Sequence, residues 1–255
     1  MVLAGWRKKI PAWIVLVLLS LIVSSTAGFA AGPKTLVLSN VTEPPLTTAD
    51  HTGFLDVVAT EAFRRIGVHL RLIKLPAERG LLLANEGYLD GDLTRIAGLN
   101  AQYPNLVRVP EKLIDWDFVA FSRNPSIPAN FAVLRKYSVG LIRGWKIYER
   151  AMAGSKDLTT VNNPEQLFRL LDLNRIDVAL YMRLSGLALI QKMAIPDIHV
   201  LKPVLARRPM YMYLNRRDIA LVPKLAAALR GLKRDGFYDR VYREKLTRYD
   251  EVSRK

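Results

Sequence analysis

Charged side chains crowd one stretch, LPAERGLLLANEGYLDGDLTRIAG from Leu75 to Gly98, among them Glu78, Arg79, Asp90, Asp92 and Arg95. A helix with only a structural task has little need for so many ionic groups, because a charge buried without a partner is costly. Arginine carries a planar fork of donors that fits a carboxylate or a phosphate. Arg79 and Arg95 are therefore candidates to hold an anion; their plain alternatives are ion pairs, Arg79 with Glu78 and Arg95 with Glu78, Asp90 or Asp92. A second such stretch is Ile142-Arg143-Gly144-Trp145-Lys146, which leaves an expected strand and enters an expected helix. Backbone N–H groups at a helix start favour anions, and Gly144 lets a ligand approach the backbone, with Arg143 and Trp145 on either side. Glu43 can accept a hydrogen bond from an amine or hydroxyl. Tyr181 offers a hydroxyl to a ligand or packs in a core, and Trp116 either stacks on a ligand or fills a hinge.

Other chemistries are excluded or unsupported. The chain of 255 residues has no cysteine, so it has no disulfide, thiolate nucleophile or cysteine-bound zinc. Its three histidines, His51, His69 and His199, are far apart and lack ligand spacing. There is no Gly-x-Ser-x-Gly elbow, no phosphate-binding Walker loop and no His-Glu-x-x-His. No metal and no cofactor is expected. Carboxylates are abundant, and a secreted hydrolase using a carboxylate pair stands as one alternative function.

The first thirty residues read as a secretory signal: Trp6-Arg7-Lys8-Lys9, an apolar run from Ile10 to Val23, and small residues before a cut after about Ala30. The alternative, an uncleaved anchor, is weakened because the run falls short of a comfortable ~20-residue span. The expected location is the periplasm. The formal charge is +15, and the part after the signal keeps about +12. Such a balance suits an anionic small molecule, a membrane surface or simple solvation. The basic residues are dispersed and not interleaved with aromatics, and export argues against nucleic acid.

The periodicities predict an α/β chain. TLVLSN reads as a strand, FLDVVATEAFRRIG as a helix capped at Gly67, VHLRLIK as a strand, and the stretch from Pro76 to Gly87 as a helix. DGDLTRI then enters the sheet, so that the opening charges lie near the carboxyl edge of the strands, where ligands bind in open α/β sheets. Strand and helix alternate again from Asp117 to about Met210, followed by a strand over Tyr211 to Arg216 and two helices, about Leu221 to Leu232 and Gly236 to Thr247. A parallel sheet is the expectation.

HTGFLDVVATEAFRRIG, NEGYLDG and the late YMYLNRRDIALVPKLAAALRGLKRDGFYDRVYREKL together resemble the family 3 extracellular solute-binding proteins, periplasmic receptors of amino-acid-type ABC importers. Gly53-Phe54 and the Leu-Lys-x-Asp-Gly-x-Tyr pattern from Leu232 carry the likeness. It implies a type II, two-lobed clamp: lobe 1 over residues 33–116 plus 211–255, lobe 2 over 117–210, and two hinge crossings, with a solute trapped by closure. The expected protein is a monomer and not an enzyme. It would deliver a small polar, anionic solute to an ABC permease or, alternatively, present it to a membrane sensor. This sequence departs from the family's pattern at two places. LNAQYPNLVRVP has no arginine where a Thr-x-x-Arg clamp would fall, and Tyr181 and Met182 stand where the second acid after Asp177 is expected. Both partners of an α-amino acid's charges are absent there, which argues against an ordinary α-amino acid as the solute.

Overall fold

Apolar runs that alternate in period with amphipathic helices generate the architecture that the computed structural model describes over residues 34–252. The export signal expected over residues 1–30 lies outside these residues. Strand β1 (Thr35–Asn40) leads to helix α1 (Phe54–Arg64), β2 (His69–Lys74), α2 (Ala77–Glu86) and β3 (Gly91–Arg95). After a 3-10 turn at Leu99–Ala101 come β4 (Leu106–Arg108) and β5 (Ile114–Ser122). A second series follows: α3 (Phe131–Leu134), β6 (Val139–Ile142), α4 (Lys146–Ala151), β7 (Leu158–Val161), α5 (Pro164–Asp172), β8 (Val178–Met182), α6 (Arg183–Met193) and β9 (His199–Val200). Strand β10 (Ala206–Asn215), a 3-10 turn at Arg216–Leu221, α7 (Val222–Arg234) and α8 (Phe237–Val252) complete the described chain.

Local chemistry sets the helix ends. Asn163 accepts the Gln166 N–H at 2.9 Å, and Pro164 follows in the first turn of α5, where its missing N–H costs nothing. Gly87 ends α2 in the left-handed region at φ 84. Helix α1 buries Leu55, Val58, Ala59, Ala62 and Phe63, the spacing that marked it as amphipathic.

The strands run in the order β2-β1-β3-β10-β5-β8-β6-β7, with β4 also on β10 and β9 on β5. Strand β1 is parallel to β2 and β3, and β6 is parallel to β7 and β8. The expectation of a parallel sheet holds within each of these sets, but β10 joins β3, β4 and β5 antiparallel, and β5 joins β8 antiparallel. The sheet is therefore mixed. Strand β10 belongs to both halves: Ala206 to Met210 face β5, and Tyr211 to Asn215 face β3 and β4. It starts at Ala206, five residues before the predicted Tyr211, and takes in Arg207, Arg208 and Pro209. Proline hides such a strand from a sequence reading, yet this half of β10 has β5 as its one neighbour, and a strand with a free edge tolerates a residue with no N–H to give. Strand β9 is two residues long where DIHVLKP suggested more, and β4 was not foreseen.

Alternation along β5 sorts the core into layers. Phe118 and Ala120 join a cluster that passes from one half of the molecule to the other, through Leu36, Leu93, Met212, Tyr148 and Val139. Val119 and Phe121 face the opposite way, onto Phe168, Leu167 and Leu187. Helix α2 covers the other face of the first half, with Leu81 and Ala84 in a cluster with Tyr103, Leu106 and Tyr213.

Two residues test this arrangement. A Cβ on Gly91 would lie 2.1 Å from the main-chain carbonyl oxygen of Tyr213 on β10, an atom that cannot rotate aside. Gly91→Ala should lower stability by about 1–3 kcal/mol, read as a drop in the urea midpoint. An unchanged midpoint would mean that β3 and β10 are less closely paired. Asp117 ties β5 to β10 and α6, with its carboxylate 2.6 Å from Arg207 Nε and 3.2 Å from Arg183 Nε. Burial pushes the Asp117 carboxyl up, but the two guanidinium groups outweigh it and hold the pKa below the ordinary value. The stabilisation is thus complete above the unfolded value near ~3.9 and fades as pH falls through the lower folded value. The gap in thermal midpoint between the natural chain and Asp117→Asn should be constant above about pH 5 and shrink on further acidification. A gap of constant size throughout would contradict this.

Candidate functional site

The carboxyl ends of β1 and β2 and the start of α5 with the flank of α6 enclose a cleft of about 630 Å³. On the first half, Asn40 and Thr42 at the end of β1 build a closed polar network. Asn40 donates to Thr47 Oγ1 at 2.8 Å, and its side-chain oxygen accepts the Thr42 N–H at 2.9 Å. The Thr42–Thr47 loop is thereby fixed with its polar groups already satisfied. Glu43 stands on this loop and meets Lys74, from the end of β2, at 2.6 Å. On the second half, Glu165 at the start of α5 lies 3.9 Å from Lys192 on α6. All four residues line the cleft. Each half therefore contributes one carboxylate–ammonium pair. These pairs are open to solvent, so their own attraction is small and a solute can replace it at little cost.

Asp56 and His51 close the rim. Burial raises the Asp56 carboxyl above its usual range, partly offset by hydrogen bonds from the Thr48 and Gly53 N–H groups, at 2.8 and 3.0 Å. Asp56 is thus a loop fastener more than a ligand group.

The sequence-predicted residues divide into three sets. Glu43 and Tyr181 line the cleft. Trp116, Trp145 and Tyr181 form one aromatic series: Trp116 and Trp145 are near parallel, with centroids 6.4 Å apart, and Trp145 lies 5.1 Å from Tyr181. The series runs from strand β5 to the cleft wall. Tyr181 is buried, which pushes its hydroxyl pKa well above the ordinary value. It remains a neutral phenol at any physiological pH, a donor or acceptor and never an anion. Its main-chain carbonyl accepts the Tyr148 hydroxyl at 2.7 Å. The third set lies outside this cleft. The Arg95 guanidinium turns inward, 2.7 Å from Asp92 and 3.0 Å from the Ala77 carbonyl, and the residue is 8% exposed. Asp92, fully buried, also accepts from Ser39 Oγ at 2.5 Å. Arg95 completes a buried charge pair, which outcompetes a clamp role because breaking it would strand Asp92 in the interior. Asp90 is spoken for too, by Arg217 and the Val37 N–H. Arg79 sits exposed in the first turn of α2. The Gly144 N–H donates to Glu149 Oε1 at 2.7 Å, so the protein's own carboxylate occupies the position where an anion was expected. Arg143 reaches Asn162 at 3.4 Å.

Several cleft residues escaped the sequence reading. Lys74 ends a strand next to β1, so its place at the carboxyl edge was available from the α/β pattern. Ser185, Lys192, Arg248 and Tyr249 also line the cleft. They lie on helices whose faces toward the other half are set by tertiary packing, and no local spacing marks them. Asp177, the strand aspartate after which a second acid was expected, sits at the opposite end of β8 and accepts from the Ser138 N–H and hydroxyl, at 3.0 and 2.9 Å.

No known family profile matches the sequence. An uncharacterized protein of Shewanella oneidensis is 23% identical over 210 residues, 79% of each chain. Among solved structures, a histidine kinase sensor domain with similarity to periplasmic binding proteins superposes with a TM-score of 0.73 at 18% identity, covering 84% of this chain and 97% of that one. A mutant of the arginine-binding protein of T. maritima gives 0.70 at 19%, covering 83% and 94%. The GluR0 ligand-binding core in complex with L-glutamate gives 0.74 at 13%, covering 83% and 98%. The chain has the two-lobed, type II periplasmic-binding-protein fold, as the resemblance in the sequence implied.

Proposed function

We propose that the protein captures a small polar solute bearing an anionic group in the cleft between its two lobes and hands it to an ABC-type importer. Lobe 1 is taken as residues 33–116 with 211–255 and lobe 2 as 117–210, the change of partner along β10 falling between Met210 and Tyr211. The observation that carries the reading is the cleft itself, about 630 Å³ with polar side chains from both halves of the sheet set in its wall. A gap so built is the geometry in which hinge closure traps a ligand. Lys74, Lys192 and Arg248 bring cations to it from three elements; Lys74 and Lys192 meet Glu43 and Glu165 only in wet, weak pairs, so an anionic group of the solute can take these cations over. The charge of about +12 after the expected signal steers such solutes inward. Capture takes place in the periplasm, by a monomer, without cofactor and without bond making or breaking. Among the described residues, no group of acids and histidines could hold a metal ion.

A thermal-shift series with organic anions, amino acids, short peptides and sugars tests the reading. The correct solute at about 100 times its Kd adds ~2.7 kcal/mol of stability. If only cationic or uncharged compounds stabilise the chain, the anionic preference is wrong. Lys74→Ala should weaken binding of the stabilising anion by about 1.5–3 kcal/mol, roughly ten- to hundredfold in Kd, as measured by titration calorimetry. An unaltered Kd would remove Lys74 from the site. The solute must be recovered intact; a cleaved product would replace capture with the hydrolase alternative. Uptake lost on gene deletion separates import from presentation to a sensor, which would leave uptake unchanged.

A further inference from the structure

The C-terminal helix does not stay with the lobe from which it starts. At its beginning, Tyr238 and Tyr242 of α8 pack edge-on against Phe54 of α1, with centroids 5.1 and 5.7 Å apart. The Tyr238 hydroxyl donates to the Leu113 carbonyl at 2.9 Å. Val241 and Leu246 are buried in the large cluster that includes α1 and α7 and continues into the second half, so the aromatic contacts with Phe54 are what fix the start of α8 to the first lobe. Three residues on from Leu246 the surroundings change. Tyr249 is 6% exposed and belongs to the other cluster, with Phe168, Tyr181, Leu187 and Leu189 of the second lobe. Arg248 lies over the Tyr249 ring, 4.7 Å from its centroid, and donates to its hydroxyl at 2.7 Å. Both residues line the cleft.

We infer that α8 is a third wall of the solute cleft and that Tyr249 is a positioning residue that holds the second lobe against the first. A residue fixed by its helix to one lobe and buried among side chains of the other cannot keep both contacts when the lobes part. Its apolar ring supplies the attraction, since removing aromatic surface from water is favourable. Its hydroxyl, satisfied by Arg248, needs nothing from lobe 2. The cleft therefore has a covalently attached wall that competes with opening, and a solute entering at that end meets the Arg248 guanidinium first. The name solute cleft rests on the function proposed above; the positioning role is read from the solute-free chain alone.

The absence of cysteine gives a clean measurement. Tyr88→Cys and Leu173→Cys place labels on residues 75% and 55% exposed, one on each lobe. The inter-label distance distribution, recorded by pulsed electron resonance without solute, should have its main peak shift to longer distance when Tyr249→Ala is added. It should return to the original with Tyr249→Phe, which keeps the ring. An unshifted peak in a folded Tyr249→Ala chain overturns the inference, as does a Tyr249→Phe chain that opens to the same extent. If Tyr249→Ala does not fold, hydrogen exchange on the natural chain decides: the last turns of α8 should be protected as strongly as α6, and free exchange there overturns the inference. None of these readings changes if every compound in the thermal-shift series fails to bind, so the two proposals fail separately.

Discussion

Strand β10 is the constraint from which the cleft follows. Its first five residues hydrogen-bond along β5 and its last five along β3 and β4, so one continuous backbone sets the mutual orientation of the two halves of the sheet. Strand β5 makes the second crossing, leaving the first series of strands at Ile114 and joining β8 from Phe118 onward. Paired antiparallel strands resist sliding because a one-residue slip would exchange the core and outer faces of both. Bending is not opposed in this way, since it changes few hydrogen bonds. Between halves joined by such a ribbon, the space open to change is the gap bordered by the ends of β1, β2 and β8, and polar side chains gather there.

Charge is distributed in keeping with this mechanics. In pairs buried inside a lobe, such as Asp92–Arg95, the two charges neutralise one another, with Ser39 and the Ala77 carbonyl as further partners. Pairs at the gap, Glu43–Lys74 and Glu165–Lys192, stay wet. The difference has energetic meaning. A buried pair that loses one partner costs about 3–5 kcal/mol, so Arg95 cannot be lent to a solute, whereas an exposed pair contributes ~0–1 kcal/mol and is available to one. The Gly144 N–H obeys the same logic, being closed off by Glu149. The sites that look most like anion cradles in the sequence are the ones the protein fills with its own carboxylates.

This explains how much could be read in advance. Periodicity located β1, α1, β2 and α2 with small errors because each buries a regular face, β8 read as a short apolar run because it is buried throughout, and the two-lobed fold was implied by the family resemblance. Pro209 concealed half of β10, since the open edge that excuses a proline exists only once the sheet is assembled. Among candidate site residues, Glu43 and Tyr181 were legible because strand ends in an α/β unit face one edge. Arg95 was placed at the right strand end, but whether its guanidinium turns outward or toward Asp92 three residues away depends on the depth of the pair, which sequence does not carry. Arg248 and Tyr249 were invisible for a stronger reason: an Arg-Tyr pair near the end of an amphipathic helix looks like surface until the second lobe is brought against it.

The size of the Tyr249 contact decides what kind of device it can be. Burying one aromatic side chain is worth roughly 1.5–3 kcal/mol, while a solute bound at a micromolar Kd releases about 8 kcal/mol. A contact of the first size biases an open–closed equilibrium by about ten- to hundredfold and is easily overridden by one of the second. Because the contact is made both before and after the solute is trapped, it slows entry by the cost of the opening that admits the solute and leaves the equilibrium affinity of the closed form unaltered. A helix that crosses the gap with one buried ring acts as a weak spring in parallel with the two strands.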